Sequence, residues 1–120
     1  MTQATITEIG RSAINPEEPL LILFDQSATS ALRDYTIIQE FSTKENFSLE
    51  QGDQITFDQQ EYTIEHVGPL ANENLTTVGH VTLVFEEPPA GDKIVNGIYL
   101  SPYQLPEITV GTTIDYKQVN

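Results

Sequence analysis

The sequence predicts a mainly β fold, a small closed barrel or a sandwich, and three observations lead there. The apolar residues fall in short alternating or continuous runs bounded by turn residues, the pattern of strands. No helical apolar pattern exceeds about ten residues. Roughly six or seven short strands in a chain of 120 residues favour closure, because a closed sheet leaves no edge of unpaired backbone groups. No repeat of about 20 to 50 residues is present, which sets solenoids and propellers aside.

Ala4 to Ile9 carries β-formers and stops at Gly10, and the acidic, proline-containing Ser12 to Pro19 then reads as a loop. Leu20-Leu21-Ile22-Leu23-Phe24 is apolar on both faces, which predicts a central strand buried on both sides or crossing between layers. Ser27 or Thr29 can cap a short helix through Tyr35, with Ala28, Ala31, Leu32 and Tyr35 on one stripe. Thr36 to Phe41 follows as a strand. Ser42 to Gly52 is polar and reads as loop, although Ser42 and Glu45 have the spacing of a capping box.

Gln54 to Asp58 and Glu61 to Val67 alternate with period two across a short turn and predict a hairpin. Ile55, Phe57, Tyr62, Ile64 and His66 share its inward parity, while Gln54, Thr56, Asp58, Glu61, Thr63 and Glu65 point to water. Leu70 to Val78 places Ala71, Leu75 and Val78 on one helical face, with Gly79 where a left-handed C-cap belongs. His80 to Phe85 is a strand and Pro88 to Gly91 a turn. Ile94 to Leu100 is a further strand, in which Asn96-Gly97 marks either a hairpin turn or a bulge. Thr112 to Tyr116 closes the chain.

With 18 Asp and Glu against 5 Lys and Arg, the net charge is −13. The five cations are scattered singly, so no basic stripe exists to neutralise a phosphate backbone and nucleic-acid binding is excluded. The acidic balance serves either plain solubility or attraction to a basic protein partner. Apolar residues at 38% and charged residues at 19% suffice for one buried core, which makes residues 1–120 a single domain. Cysteine is absent, which removes disulfides, thiolate nucleophiles and cysteine metal sites and leaves the compartment open on that ground. No apolar run approaches the roughly 20 residues of a membrane span, and the first residues lack the pattern of a signal peptide. The expectation is a soluble, cytoplasmic protein.

The common hydrolase, zincin, P-loop and dinucleotide motifs are all missing. Asp25, Asp34, Glu61 and Glu65 are available for carboxylate pairs, but in so acidic a chain they read as a solvated face. His66 lies on the apolar parity of its strand, the place of a satisfied structural histidine. His80 follows Gly79 at a helix-to-strand junction and lies on the face opposite Val81, Leu83 and Phe85. That position suits phosphoryl transfer or metal binding, and it equally suits a hydrogen bond that fixes the turn.

The block Gly52-Asp53, Tyr62-Thr63-Ile64, Val67-Gly68, Ala71, Asn74-Leu75 and Gly79-His80-Val81-Thr82-Leu83 resembles the glucitol/sorbitol-specific IIA component of the bacterial sugar phosphotransferase system. The resemblance extends more weakly through Ala4 to Gly10, Leu23-Phe24 and Leu32-Arg33-Asp34-Tyr35. It implies an all-β fold, a closed small barrel of about six strands with complex topology and one or two short helices. It also implies a cytoplasmic phosphocarrier with no cofactor, which takes a phosphoryl group from HPr onto a histidine. The group then passes to the IIB component and on to a hexitol, with the membrane reached only through the IIB and IIC permease components.

In the family the acceptor histidine follows a Tyr-x-x-Ile pattern, and this chain reads Tyr35-Thr36-Ile37-Ile38-Gln39, with Phe41 where a second histidine often stands. Gln39 cannot replace the acceptor, because the lone pair of its amide nitrogen is delocalised into the carbonyl. Three readings follow: an inactive or regulatory relative, a carrier with its acceptor moved to His80, or a binding module on the same barrel.

Overall fold

The computed structural model describes residues 2–43 and 47–119. Its strands are β1 (Thr2–Ile9), β2 (Leu20–Phe24), β3 (Ile37–Thr43), β4 (Gln54–Phe57), β5 (Gln60–Val67), β6 (Val81–Val84), β7 (Gly97–Ser101) and β8 (Thr113–Lys117). Two helices, α1 (Ser30–Arg33) and α2 (Ala71–Val78), join them. The strands close into a barrel in the order β1-β3-β2-β6-β7-β5-β4-β8, with β8 pairing back onto β1. Among the described residues the barrel has eight strands rather than about six, each between two neighbours.

Two of the pairings are parallel, β2 with β3 and β6 with β7. Parallel neighbours need a crossover of about a dozen residues. Residues 25–36, carrying α1, and residues 85–96 supply them. Asn96-Gly97 therefore makes neither a hairpin nor a bulge: it sits where the second crossover ends and β7 begins.

Alternate residues of each strand fill the barrel, among them Ile6, Leu21, Leu23, Ile37, Phe57, Ile64, Leu83 and Ile98. β2 departs from the expectation of burial on both faces. Leu21 and Leu23 belong to the core, whereas Leu20, Ile22 and Phe24 lie half-covered on the outside. The β4–β5 hairpin keeps the predicted register, with Phe57 opposite Gln60. Thr56, expected in water, is buried, because it lies opposite Glu61 and Asp115 of the flanking strands and side chains of that length cover a threonine between them.

A bulge changes the parity at the end of β5. Ile64 pairs with Leu100 and His66 with Tyr99, so Glu65 is an extra residue. Val67 consequently packs on the core, and His66 turns to the outer face with its ring edge-on to Tyr99, centroids 5.8 Å apart. The inward position read for His66 from strict alternation is thereby corrected.

Of the apolar stripe read for the first helix only Ala28 is buried: Leu32 and Tyr35 are 43% and 60% exposed, and α1 itself buries none of its residues. Arg33 fastens the segment instead, through the carbonyls of Ala28 (3.0 Å) and Gln26 (2.6 Å) and an ion pair with Glu8 at 2.5 Å. β3 runs on through Ser42 because Thr43 still pairs with Gln3. Glu45, the other half of the capping-box spacing, lies outside the described residues. No helix among the described residues is long and apolar enough to cross a membrane.

Candidate functional site

The two positions singled out in the sequence, Gln39 and His80, meet at one end of β2, on opposite sides of a single stretch of backbone. β2 ends at Phe24, opposite Ile38, and Gln39 lies just past that end. Ile37, Gln39 and Phe41 alternate toward the interior, which leaves Gln39 fully buried. Its Nε2 donates to the Gly79 carbonyl at 3.0 Å, and its Oε1 accepts from the Tyr116 hydroxyl at 2.5 Å. Burial pushes the Tyr116 hydroxyl up. The hydroxyl is therefore a neutral donor throughout the physiological range. Gln39 thus holds two buried polar groups together, and its amide offers no nucleophile. A shallow cleft of about 230 Å³ lined by Asp25, Gln26, Ser27, Gln39, Glu40 and Phe41 opens beside it.

His80 is positioned by the end of α2. Gly79 adopts the left-handed conformation (φ 63°, ψ 21°), with its N–H on Leu75 O and the His80 N–H on Asn74 O, both at 3.2 Å. Asp25 packs against Gly79 so closely that a Cβ there would lie 3.0 Å from the Asp25 Cβ. The chain therefore turns sharply into β6. Val81, Leu83 and Phe85 go inward and the half-buried His80 goes out, as the parity predicts.

The ring lies against Phe24, with centroids 4.6 Å apart. Its Nδ1 is 3.1 Å from the Leu23 carbonyl and its Nε2 is 2.9 Å from Asn96 Nδ2. A carbonyl only accepts, so Nδ1 carries the proton. In the neutral ring Nε2 then keeps its lone pair and accepts from the Asn96 amide. The arrangement presents a basic, nucleophilic ring nitrogen with its tautomer set by the backbone of β2. Asn96 was visible in the sequence only as a turn residue. Its contact with His80 spans the whole second crossover and leaves no local pattern.

The remaining candidates are dispersed. Asp25 accepts from the Ser27 N–H and hydroxyl, Asp34 pairs with Arg11, Glu65 accepts from the Tyr103 hydroxyl, and Glu61 is exposed on β5. They form no carboxylate pair with one another in these contacts. His66 lines a separate shallow cleft of about 400 Å³ with Glu50, Glu65 and Asn72. Among the described residues no group of three or more His, Asp or Glu is placed to hold a metal ion.

Comparison with known proteins agrees with this barrel. Residues 1–115 match the family model for the glucitol/sorbitol-specific IIA component of the phosphotransferase system. The glucitol/sorbitol-specific EIIA component of Escherichia coli K12 is 38% identical over 85 residues, covering 70% of this chain and 68% of that protein. The corresponding component of Shigella flexneri is 36% identical over the same shares. The crystal structure of a phosphotransferase-system IIA component from Enterococcus faecalis V583 superposes with a TM-score of 0.93 at 47% identity, covering 97% of this chain and 99% of that one. On sequence and fold together, the chain belongs to the family of glucitol/sorbitol-specific IIA components of the phosphotransferase system.

Proposed function

We propose that this chain is a single-domain, cytoplasmic phosphocarrier that accepts a phosphoryl group from HPr on Nε2 of His80 and passes it to a IIB component. The observation that carries the reading is the hydrogen bond of His80 Nδ1 to the Leu23 carbonyl, which leaves Nε2 as the nitrogen with a lone pair. Nε2 attacks phosphorus in line as the N–P bond of the HPr phosphohistidine breaks, and the bonding pair returns to the HPr imidazole. The His80 ring, cationic once phosphorylated, keeps its Nδ1–H on the same carbonyl. Phe24 on the ring face gives the site an apolar wall. The net charge of −13 suits a basic docking face.

A second reading is a regulatory IIA-like module that docks on partners without being phosphorylated. The lock of Gln39 between Gly79 and Tyr116 favours it, since the residue that the resemblance sets at the acceptor position is committed to structure. The test is incubation with phosphoenolpyruvate, enzyme I and HPr, followed by intact-mass measurement under alkaline conditions. The carrier reading expects one added phosphoryl group on the wild type and none on His80→Ala. Phosphorylated HPr beside an unmodified wild-type chain overturns it in favour of the regulatory module.

A further inference from the structure

We propose that Asn96 is a positioning residue for this transfer: its amide holds the Nε2 lone pair of His80 in the resting protein and turns onto a phosphoryl oxygen once the N–P bond has formed. The inference rests on the reading of His80 as acceptor and adds to it the group that orients the ring before transfer and steadies the product afterwards.

Asn96 Nδ2, 2.9 Å from Nε2, occupies the direction along which phosphorus must approach the lone pair. It has to move aside for transfer. Its backbone is held, because the Asn96 carbonyl accepts from Thr82 N at 3.1 Å and the Val95 carbonyl accepts from Leu70 N at 2.9 Å. On the other side Gly97 N donates to Ile94 O at 3.0 Å, and the Gly97 carbonyl accepts from Gly68 N at 2.8 Å. With four backbone bonds fixing residues 94–97, the freedom left to Asn96 is rotation of its short side chain.

An amide needs only a small rotation to exchange a ring nitrogen for an oxygen bonded to the phosphorus on that nitrogen. A donor to a phosphoryl oxygen is charge-assisted and stronger than the bond it replaces. In the step itself the Nε2 lone pair forms the N–P bond as the donor's P–N bond breaks, and the bonding pair goes to the departing nitrogen, which leaves as the imidazole of HPr or, with a proton from solvent, as the ammonia of phosphoramidate.

The experiment uses the whole chain with two phosphoryl donors, phosphorylated HPr and the small molecule phosphoramidate, and follows uptake and decay by intact mass. Asn96→Ala keeps the lone pair and loses the donor. It is expected to accept phosphate and to lose it by hydrolysis roughly fivefold to tenfold faster, the weight of one hydrogen bond. Asn96→Asp has the same shape but sets a carboxylate against the incoming phosphoryl oxygens. It is expected to accept at least about a hundredfold more slowly from either donor, as befits close like charge. Thermal unfolding of the variants separates these effects from loss of fold. Wild-type uptake and lifetime retained in both folded variants overturn the role of Asn96 and leave His80 as acceptor. A wild type that takes phosphate from neither donor overturns the acceptor reading, and the role of Asn96 falls with it.

Discussion

Gln39 serves the interior of the barrel with both ends of its amide. A glutamine has a donor end and an acceptor end, and the interior beside it offers one of each complement, the Gly79 carbonyl and the Tyr116 hydroxyl. Gln39→Leu keeps the volume and strands both groups in the barrel. A buried polar group left without a partner costs about 1 to 3 kcal/mol, so the variant is expected to lose roughly 2 to 4 kcal/mol of stability in urea denaturation. Tyr116→Phe removes one of the same bonds, and the double variant should lose less than the sum of the two. Strict additivity, or a loss below about 0.5 kcal/mol for Gln39→Leu, would mean that the amide bridge does not hold these two groups together.

At the scale of elements, the junction from α2 through Gly79 into β6 sets the site. Gly79→Ala adds a Cβ at φ 63° that meets the Asp25 side chain at 3.0 Å. The left-handed conformation alone costs an L-residue about 1 kcal/mol, and the crowding against Asp25 raises the expected loss to about 2 kcal/mol. Differential scanning calorimetry measures it, and an unchanged melting temperature would show that the junction tolerates the new side chain. This junction was legible from sequence because a helical stripe ending at a glycine is a local pattern. The hairpin of β4 and β5 was legible for the same reason. The bulge at Glu65 was not, since an extra residue changes no composition and moves His66 to the other face. Nor was the meeting of His80 with Asn96, or the exposed stripe of α1, because what decides each is tertiary: a parallel pairing in one case, the bonds of Arg33 in the other.

For the whole molecule, the closed barrel is the constant part and its charge is what partners meet at a distance. Eighteen acidic residues face five basic ones, and two of the five, Arg11 and Arg33, already pair with Asp34 and Glu8. The field around the protein is therefore negative, and an approaching protein with a basic docking face is drawn in before any contact forms. Screening sets the range of that attraction, about 10 Å at 0.1 M salt and about 3 Å at 1 M. If HPr is the phosphoryl donor, its association rate with this chain should fall tenfold or more between about 0.02 M and 0.5 M salt, the size expected of steered encounter. Dissociation depends on short-range contacts around His80 and should change much less over the same range. Stopped-flow measurement at several salt concentrations separates the two rates. A salt-independent association rate would assign recognition to short-range contacts such as the apolar face of Phe24 and leave the acidic surface to solubility.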